Sequence, residues 1–282
     1  MSPRRRVVLR MATLQKLEPG AVFAEEFRIV RPLAAGGMGA VYVAEQLSTA
    51  KVRALKVMLP DVVADPRHRE RFMQEARVGA RIQSPHVVEV TDAGVDDASG
   101  TPWIAMELLE GETLAERVRR EGPLDGATFR AVMEQLGDAI GSAHAAGVVH
   151  RDLKPENLMI ARSRLRGVPF VLKVLDFGIA TVLSERAAAA TVTTVIGSPM
   201  WMAPEQANRG AKVSAAADVW ALGLIAFFAC TGRCFWPALE GAEESFNLSA
   251  LLVDIMVHPI PPAAERAAAL GVADRLPPRC EQ

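Results

Sequence analysis

The spacing of apolar positions divides this chain. From Phe27 to about Glu107 they fall in short Val- and Leu-rich runs separated by turn residues, the pattern of strands. In Ala54-Leu55-Lys56-Val57 a period of two puts Ala54 and Lys56 on the same face. Leu33 to Val41, carrying Gly36, Gly37 and Gly39, lies between two such runs and reads as a glycine-rich hairpin. Arg69 to Arg77 reads as a helix that ends before Ser84-Pro85. Trp103 to Glu107 is an apolar strand running toward a flexible glycine, Gly111. Beyond it the apolar stretches lengthen: Ala139–Val149 and Leu158–Ile160 flank a charged loop, Phe170–Leu175 reads as a strand, and Asp218 opens an apolar helix that runs through Cys230. The apolar run Val219–Cys230 falls short of the roughly 20 residues that span a bilayer. The elements predict an α+β protein with an N-terminal extension over 1–26, a small β-rich lobe with one helix over 27–107, and a larger mainly helical lobe over 108–282.

Composition narrows the class. The chain has 282 residues, of which 50% are hydrophobic and 23% charged, enough for one large or two small cores. A net charge of −1 gives no general attraction to nucleic acid or membrane. Three cysteines, Cys230, Cys234 and Cys280, fit a reducing, cytoplasmic setting better than a disulfide scaffold. Cys230 and Cys234 would share a helical face, yet with no His or Cys nearby they read as buried thiols and not as a metal site. Arg4-Arg5-Arg6 precedes an apolar run too short for a signal peptide; it reads as a basic arm, or as an over-extended start ahead of Met11.

The charged loop carries the chemistry. His150-Arg151-Asp152-Leu153-Lys154-Pro155-Glu156-Asn157 sets an acid, a lysine and an amide on one tight turn. An aspartate can orient the proton of an attacking hydroxyl, a lysine can neutralise charge on a moving phosphoryl group, and an asparagine oxygen can hold Mg²⁺. The string resembles the catalytic loop of the eukaryotic-type protein kinases, with Lys154 in the Ser/Thr form. Catalysis is thereby assigned to Asp152, Lys154 and Asn157.

Other motifs follow in the order that family requires, and the resemblance covers roughly Phe27 to Pro278. It implies a bilobal kinase fold with an antiparallel small lobe and ATP held in the cleft between lobes. On the glycine-rich hairpin the nucleotide positions are Leu33, Gly36, Gly39 and Val41. Ala54 would roof the adenine and Lys56 reach the α/β-phosphates. Glu75 would pair with Lys56; Glu70 is the competing acid, and Phe72 and Ala76 favour Glu75. Met106 would stand behind the adenine, the backbones of Glu107 and Leu109 would pair with its edge, and Met159 would form its floor. Asp176-Phe177-Gly178 supplies Asp176, which with Asn157 gives hard oxygen ligands for Mg²⁺. Gly197 to Glu205 resembles the segment that cradles a substrate peptide, with Ser198 in place of the usual threonine, and Asp218 would tie the loop's backbone to the apolar helix. Gly36-Gly37-Met38-Gly39 and Pro204-Glu205-Gln206-Ala207 point to the bacterial Ser/Thr branch. The implied cofactors are ATP and Mg²⁺, and the implied substrates are Ser/Thr-bearing proteins, this chain included, with Thr191, Thr193 and Thr194 as phosphate acceptors opposite Arg151.

Two departures motivate a second reading. Ala34 replaces the first glycine of the family's loop; an alanine at positive φ would cost about 1 kcal/mol, so the loop is either slightly strained there or seated differently. The family also continues past Gln282 with two more helices and an arginine for the glutamate equivalent to Glu205, which Arg275 and Arg279 reach too early to replace. On that expectation the large lobe is marginal and self-associates or takes a covering partner. The alternative to an active enzyme is a catalytically inactive kinase-like scaffold or nucleotide-binding module.

Overall fold

The computed structural model describes residues 17–36, 39–58, 81–163, 166–177, 199–208, 211–240 and 247–277. Glu70, Glu75, Gly178, Thr191, Thr193, Thr194, Ser198, Arg279 and Cys280 lie outside them. The chain forms two units: residues up to 58 together with Val90–Leu108, and residues 81–89 together with Leu109 onward.

Among the described residues the first unit is a six-stranded antiparallel sheet. Its strands are β1 (Val22–Phe23), β2 (Phe27–Gly36), β3 (Gly39–Gln46), β4 (Lys51–Met58), β5 (Val90–Val95) and β6 (Pro102–Glu107), in the order β1-β2-β3-β4-β6-β5. Directly opposed residues share a face in such a sheet. The rows Ala40–Val57–Trp103 and Tyr42–Leu55–Ala105 therefore build one apolar face, closed by Phe27 and Ile29. Phe27 meets Trp103 edge to face at 4.9 Å between ring centroids. Burying each such side chain contributes about 1.5–3 kcal/mol. Gly39 is required by a close approach, since a Cβ there would stand 2.2 Å from the Val57 carbonyl oxygen.

Of the two outcomes open for Ala34, strain or a different seating, the structure shows the second. Ala34 is paired with Val41 inside β2, and the non-glycine residues at positive φ among the described residues are Ala24, Glu25, Ala50, Arg151 and Asp176. The chain takes up its irregularity in a register shift between Pro32 and Ala34 instead.

The second unit is mainly helical. Among the described residues it contains α1 (Leu114–Glu121), α2 (Gly126–Ala145), α3 (Pro204–Ala207), α4 (Ala215–Thr231), α5 (Leu248–Met256) and α6 (Ala263–Ala269). A three-stranded sheet joins β7 (Gly111–Thr113), β8 (Leu158–Arg162) and β9 (Phe170–Val174). The helix starts are explained by local chemistry. Thr113 accepts the Glu116 N–H while the Glu116 carboxylate accepts the Thr113 N–H, a capping box at α1. Asp125 accepts the N–H groups of Ala127 and Thr128 at α2. Leu136, Leu153, Leu158, Leu172, Ile225 and Leu251 are buried in the core these elements share.

Three details differ from the sequence reading. Gly111 is paired opposite Ala161 in β7, and a Cβ there would meet the Ile160 carbonyl oxygen at 2.1 Å, so it permits close packing and is not a flexible joint. Gly232, left-handed at φ 70, ends α4. Cys234 therefore lies past the helix and shares no face with Cys230; its sulfur is 4.0 Å from that of Met200, and burial pushes its thiol pKa up. Residues 81–89 join the larger unit because Val88 N–H bonds the Val174 carbonyl, Val174 N–H bonds that of His86, and Ser84 Oγ bonds Asp138. Arg275, weighed above as a partner for Glu205, donates to the Thr231 carbonyl at 3.0 Å.

Candidate active site

In the larger unit the site is built on the turn between α2 and β8. Pro155–Asn157 form a single 3₁₀ turn, with proline at its first position where no N–H is needed. The turn is closed by the Asn157 N–H on the Lys154 carbonyl at 2.9 Å, and the Leu175 N–H bonds the Asn157 carbonyl at 2.9 Å. Asn157 and Asp176 therefore stand at the adjacent ends of β8 and β9. Asp176 is left-handed at φ 59, and the next residue, Phe177, is buried against the His150 ring at 4.7 Å.

The three residues assigned to catalysis converge. Lys154 Nζ donates to Asp152 Oδ2 at 2.8 Å. Asn157 Nδ2 donates to the Asp152 carbonyl at 2.8 Å and to Asp152 Oδ2 at 3.2 Å. Both donors thus occupy one oxygen of the carboxylate. Asp152 Oδ1 is left as an acceptor with no hydrogen-bond donor on it among the described residues, on a side chain 26% exposed. Asn157 spends its NH₂ on Asp152, so its amide oxygen stays available as a hard ligand.

Buried polar groups hold this turn from below. Asp218, near the start of α4 and 1% exposed, accepts the His150 N–H on Oδ2 and the Arg151 N–H on Oδ1, each at 2.8 Å. The expected tie between this aspartate and the loop is therefore present as two bonds. A third donor is His144 Nε2, 2.8 Å from Asp218 Oδ2. The His150 ring is 0% exposed; its Nε2 meets the Leu175 carbonyl at 2.8 Å, and its Nδ1 receives the Asp152 N–H at 3.2 Å. A carbonyl only accepts and a peptide N–H only donates, so the proton sits on Nε2. His144 escaped the sequence reading, because a histidine near a helix end gives no hint of a partner 74 positions away.

In the smaller unit, register places the nucleotide candidates on the face opposite its core. Val41, Lys56 and Ile104 form one row, and Val43, Ala54 and Met106 the next. Ala54 and Lys56 are both buried. Leu33 lies 46% exposed at the irregularity in β2, Gly36 pairs with Gly39, and Glu107 stands opposite Arg53. Leu109 belongs to the larger unit, where Met159 lies on β8 between Thr113 and Lys173. Glu75, the expected partner of Lys56, is outside the described residues.

Among the described residues no helix is long and apolar enough to cross a membrane. The family profile described as "Protein kinase domain" matches residues 27–267. The chain is 38% identical over 216 residues to serine/threonine-protein kinase pkn3 of Myxococcus xanthus, covering 76% of this chain and 39% of that protein. It is 36% identical over 219 residues to serine/threonine-protein kinase PknE of Mycobacterium tuberculosis, covering 78% and 36%. Against a crystal structure of the Mycobacterium tuberculosis PknI kinase domain the TM-score is 0.66 at 28% identity, covering 90% of this chain and 85% of that one. The chain spans between 24% and 39% of the length of the first curated relatives it matches.

Proposed function

We propose that this chain, which belongs to the protein kinase family, transfers the γ-phosphoryl group of ATP to Ser and Thr hydroxyls of proteins, its own included. The observation that carries the proposal is the state of Asp152: on a partly exposed side chain, one carboxylate oxygen is held by Lys154 and Asn157, and the other has no donor on it among the described residues. Asp152 Oδ1 accepts the hydrogen of the incoming hydroxyl and turns its oxygen toward the phosphorus. Lys154 stays beside Asp152 and offsets the negative charge that spreads over the transferring group.

The acceptor oxygens of Asn157 and Asp176, at neighbouring strand ends, suit a small hard cation, and these two residues would hold Mg²⁺. When bound, that ion offsets charge on the triphosphate oxygens. Lys56 would neutralise the α/β-phosphates, with Glu75 as its assigned partner. In the smaller unit Leu33, Gly36, Gly39, Val41, Ala54 and Met106, with the Glu107 backbone, are the residues assigned to the nucleotide; in the larger unit they are Met159 and the Leu109 backbone. The inactive-scaffold reading loses one of its two motives, because Ala34 is paired in β2 without a positive φ.

The test is Asp152→Asn. Nucleotide affinity, read by calorimetry with Mg²⁺–ATP, should stay within about twofold, while phosphoryl transfer to a generic Ser/Thr substrate falls roughly 10²–10⁴-fold. Transfer at the wild-type rate removes Asp152 from the mechanism.

A further inference from the structure

Arg151 has φ 68, a region that a residue with a Cβ occupies only where its surroundings hold it. Asp218 holds its N–H, as described above. Its carbonyl is held from a different part of the chain: Gln206 Nε2, on α3, donates to the Arg151 carbonyl at 2.7 Å. The other end of the same amide accepts the Ala203 N–H at 3.0 Å. Each end is assigned by its partner, because a carbonyl cannot donate and a peptide N–H cannot accept.

The segment that carries Gln206 is itself anchored. Trp201 is buried, and Trp236 Nε1 donates to the Met200 carbonyl at 2.7 Å. The peptide unit joining Arg151 to Asp152 is thus pinned at both poles, its oxygen by Gln206 and its N–H by His150 Nδ1. Rotation of that plane would swing the Asp152 Cα–Cβ bond and move Oδ1. We infer that Gln206 is a positioning residue: it touches neither substrate nor reacting atoms, and acts by fixing the peptide plane from which Asp152 projects. The claim rests on the kinase reading and adds a residue to it. It also ties the geometry of Asp152 to the segment that the family resemblance assigns to the substrate peptide.

Two substitutions separate the halves of the amide. Gln206→Glu keeps an acceptor for the Ala203 N–H and loses the donor to Arg151. Gln206→Lys keeps a donor for Arg151 and loses the acceptor. If Gln206 positions Asp152, Gln206→Glu lowers kcat about tenfold with the KM for ATP within about twofold, and Gln206→Lys stays within about threefold of wild type. A residue that merely shapes the 203–207 turn gives the reverse order, and that result overturns the inference. Should Gln206→Glu not fold, Gln206→Met, which loses both halves, serves as the reference: Gln206→Lys should restore kcat relative to it, and equal loss in the two overturns the inference.

A second readout does not need activity. Amide hydrogen exchange at Arg151 and Asp152 should be faster in Gln206→Glu and unchanged in Gln206→Lys; equal exchange in all three proteins overturns the inference. Wild-type protein that transfers no phosphate would defeat the kinase reading, and exchange alone would then decide whether Gln206 holds the peptide.

Discussion

Asp218→Asn is the sharpest perturbation the loop offers, because it changes one atom in a carboxylate that is 1% exposed and accepts three hydrogen bonds. Two donors, His144 Nε2 and His150 N–H, converge on Oδ2, and one, Arg151 N–H, meets Oδ1. The best placement of an asparagine keeps its oxygen where two donors meet and turns its NH₂ toward Arg151. One charge-assisted hydrogen bond is then lost, worth about 1.5–3 kcal/mol, and a buried N–H faces another donor. The sum is about 3 kcal/mol. At roughly 2–4 °C per kcal/mol for a domain of this size, Tm should fall by about 6–12 °C. Arg151 loses an anchor of its left-handed conformation, so kcat should fall as well. Circular dichroism melts and steady-state phosphoryl transfer on the same preparation provide both readings. His144→Ala removes one donor of three and leaves both backbone bonds, so it should cost only about 1 kcal/mol. An Asp218→Asn protein with Tm within about 2 °C of wild type and undiminished kcat would refute the claim that this carboxylate holds the loop.

Two further expectations concern other places in the fold. Gly39→Ala should destabilise the six-stranded sheet by about 1–3 kcal/mol, because its Cβ would meet the Val57 carbonyl oxygen at 2.2 Å; an unchanged melt would show that β3 yields at no cost. Hydrogen bonds from the Thr128 hydroxyl and N–H, with that of Ala127, hold the Asp125 carboxyl below its ordinary value. The capping stability that this supplies is complete above the ordinary aspartate pKa of about 4 and is lost as pH falls through the lower folded value. Asp125→Asn keeps a capping oxygen without that titration, so its Tm should fall less steeply than that of wild type below about pH 4; parallel acid slopes would contradict the assignment.

The parts of this protein legible in its sequence were those whose chemistry is local. Asp152, Lys154 and Asn157 lie within six positions of one another, and the turn that gathers them needs only Pro155 and a short 3₁₀ step. Strand periodicity likewise put Ala54 and Lys56 on one face, which the rows through Val41 and Met106 reproduce. Pairing across the chain was legible only where the family resemblance supplied it, as for Asp218 and the loop. Gln206 reaches Arg151 over 55 positions and His144 reaches Asp218 over 74, and nothing beside either residue announces its partner. Ala34 left strain and a different seating both open for a related reason: a missing glycine implies strain only where the backbone turns left-handed, and strand pairing with Val41 removes that requirement. Gly111 read as a flexible glycine because glycine permits both freedom and contact, and only the Ile160 carbonyl opposite it distinguishes the two.

The long reach between the loop and Asp218 has a meaning in time. His150 and its anchoring carboxylate are 68 positions apart, and ribosomes add roughly 5–20 residues per second, so about 3–14 seconds separate the synthesis of the loop from that of its anchor. The hairpins β2–β3 and β3–β4, by contrast, join neighbours in the sequence and close without waiting for anything downstream. During translation the small sheet can therefore assemble early, while the peptide bearing Asp152 stays unanchored until α4 has been made. A nascent chain stalled before residue 218 would carry every residue of the catalytic turn and lack the carboxylate that holds it in register.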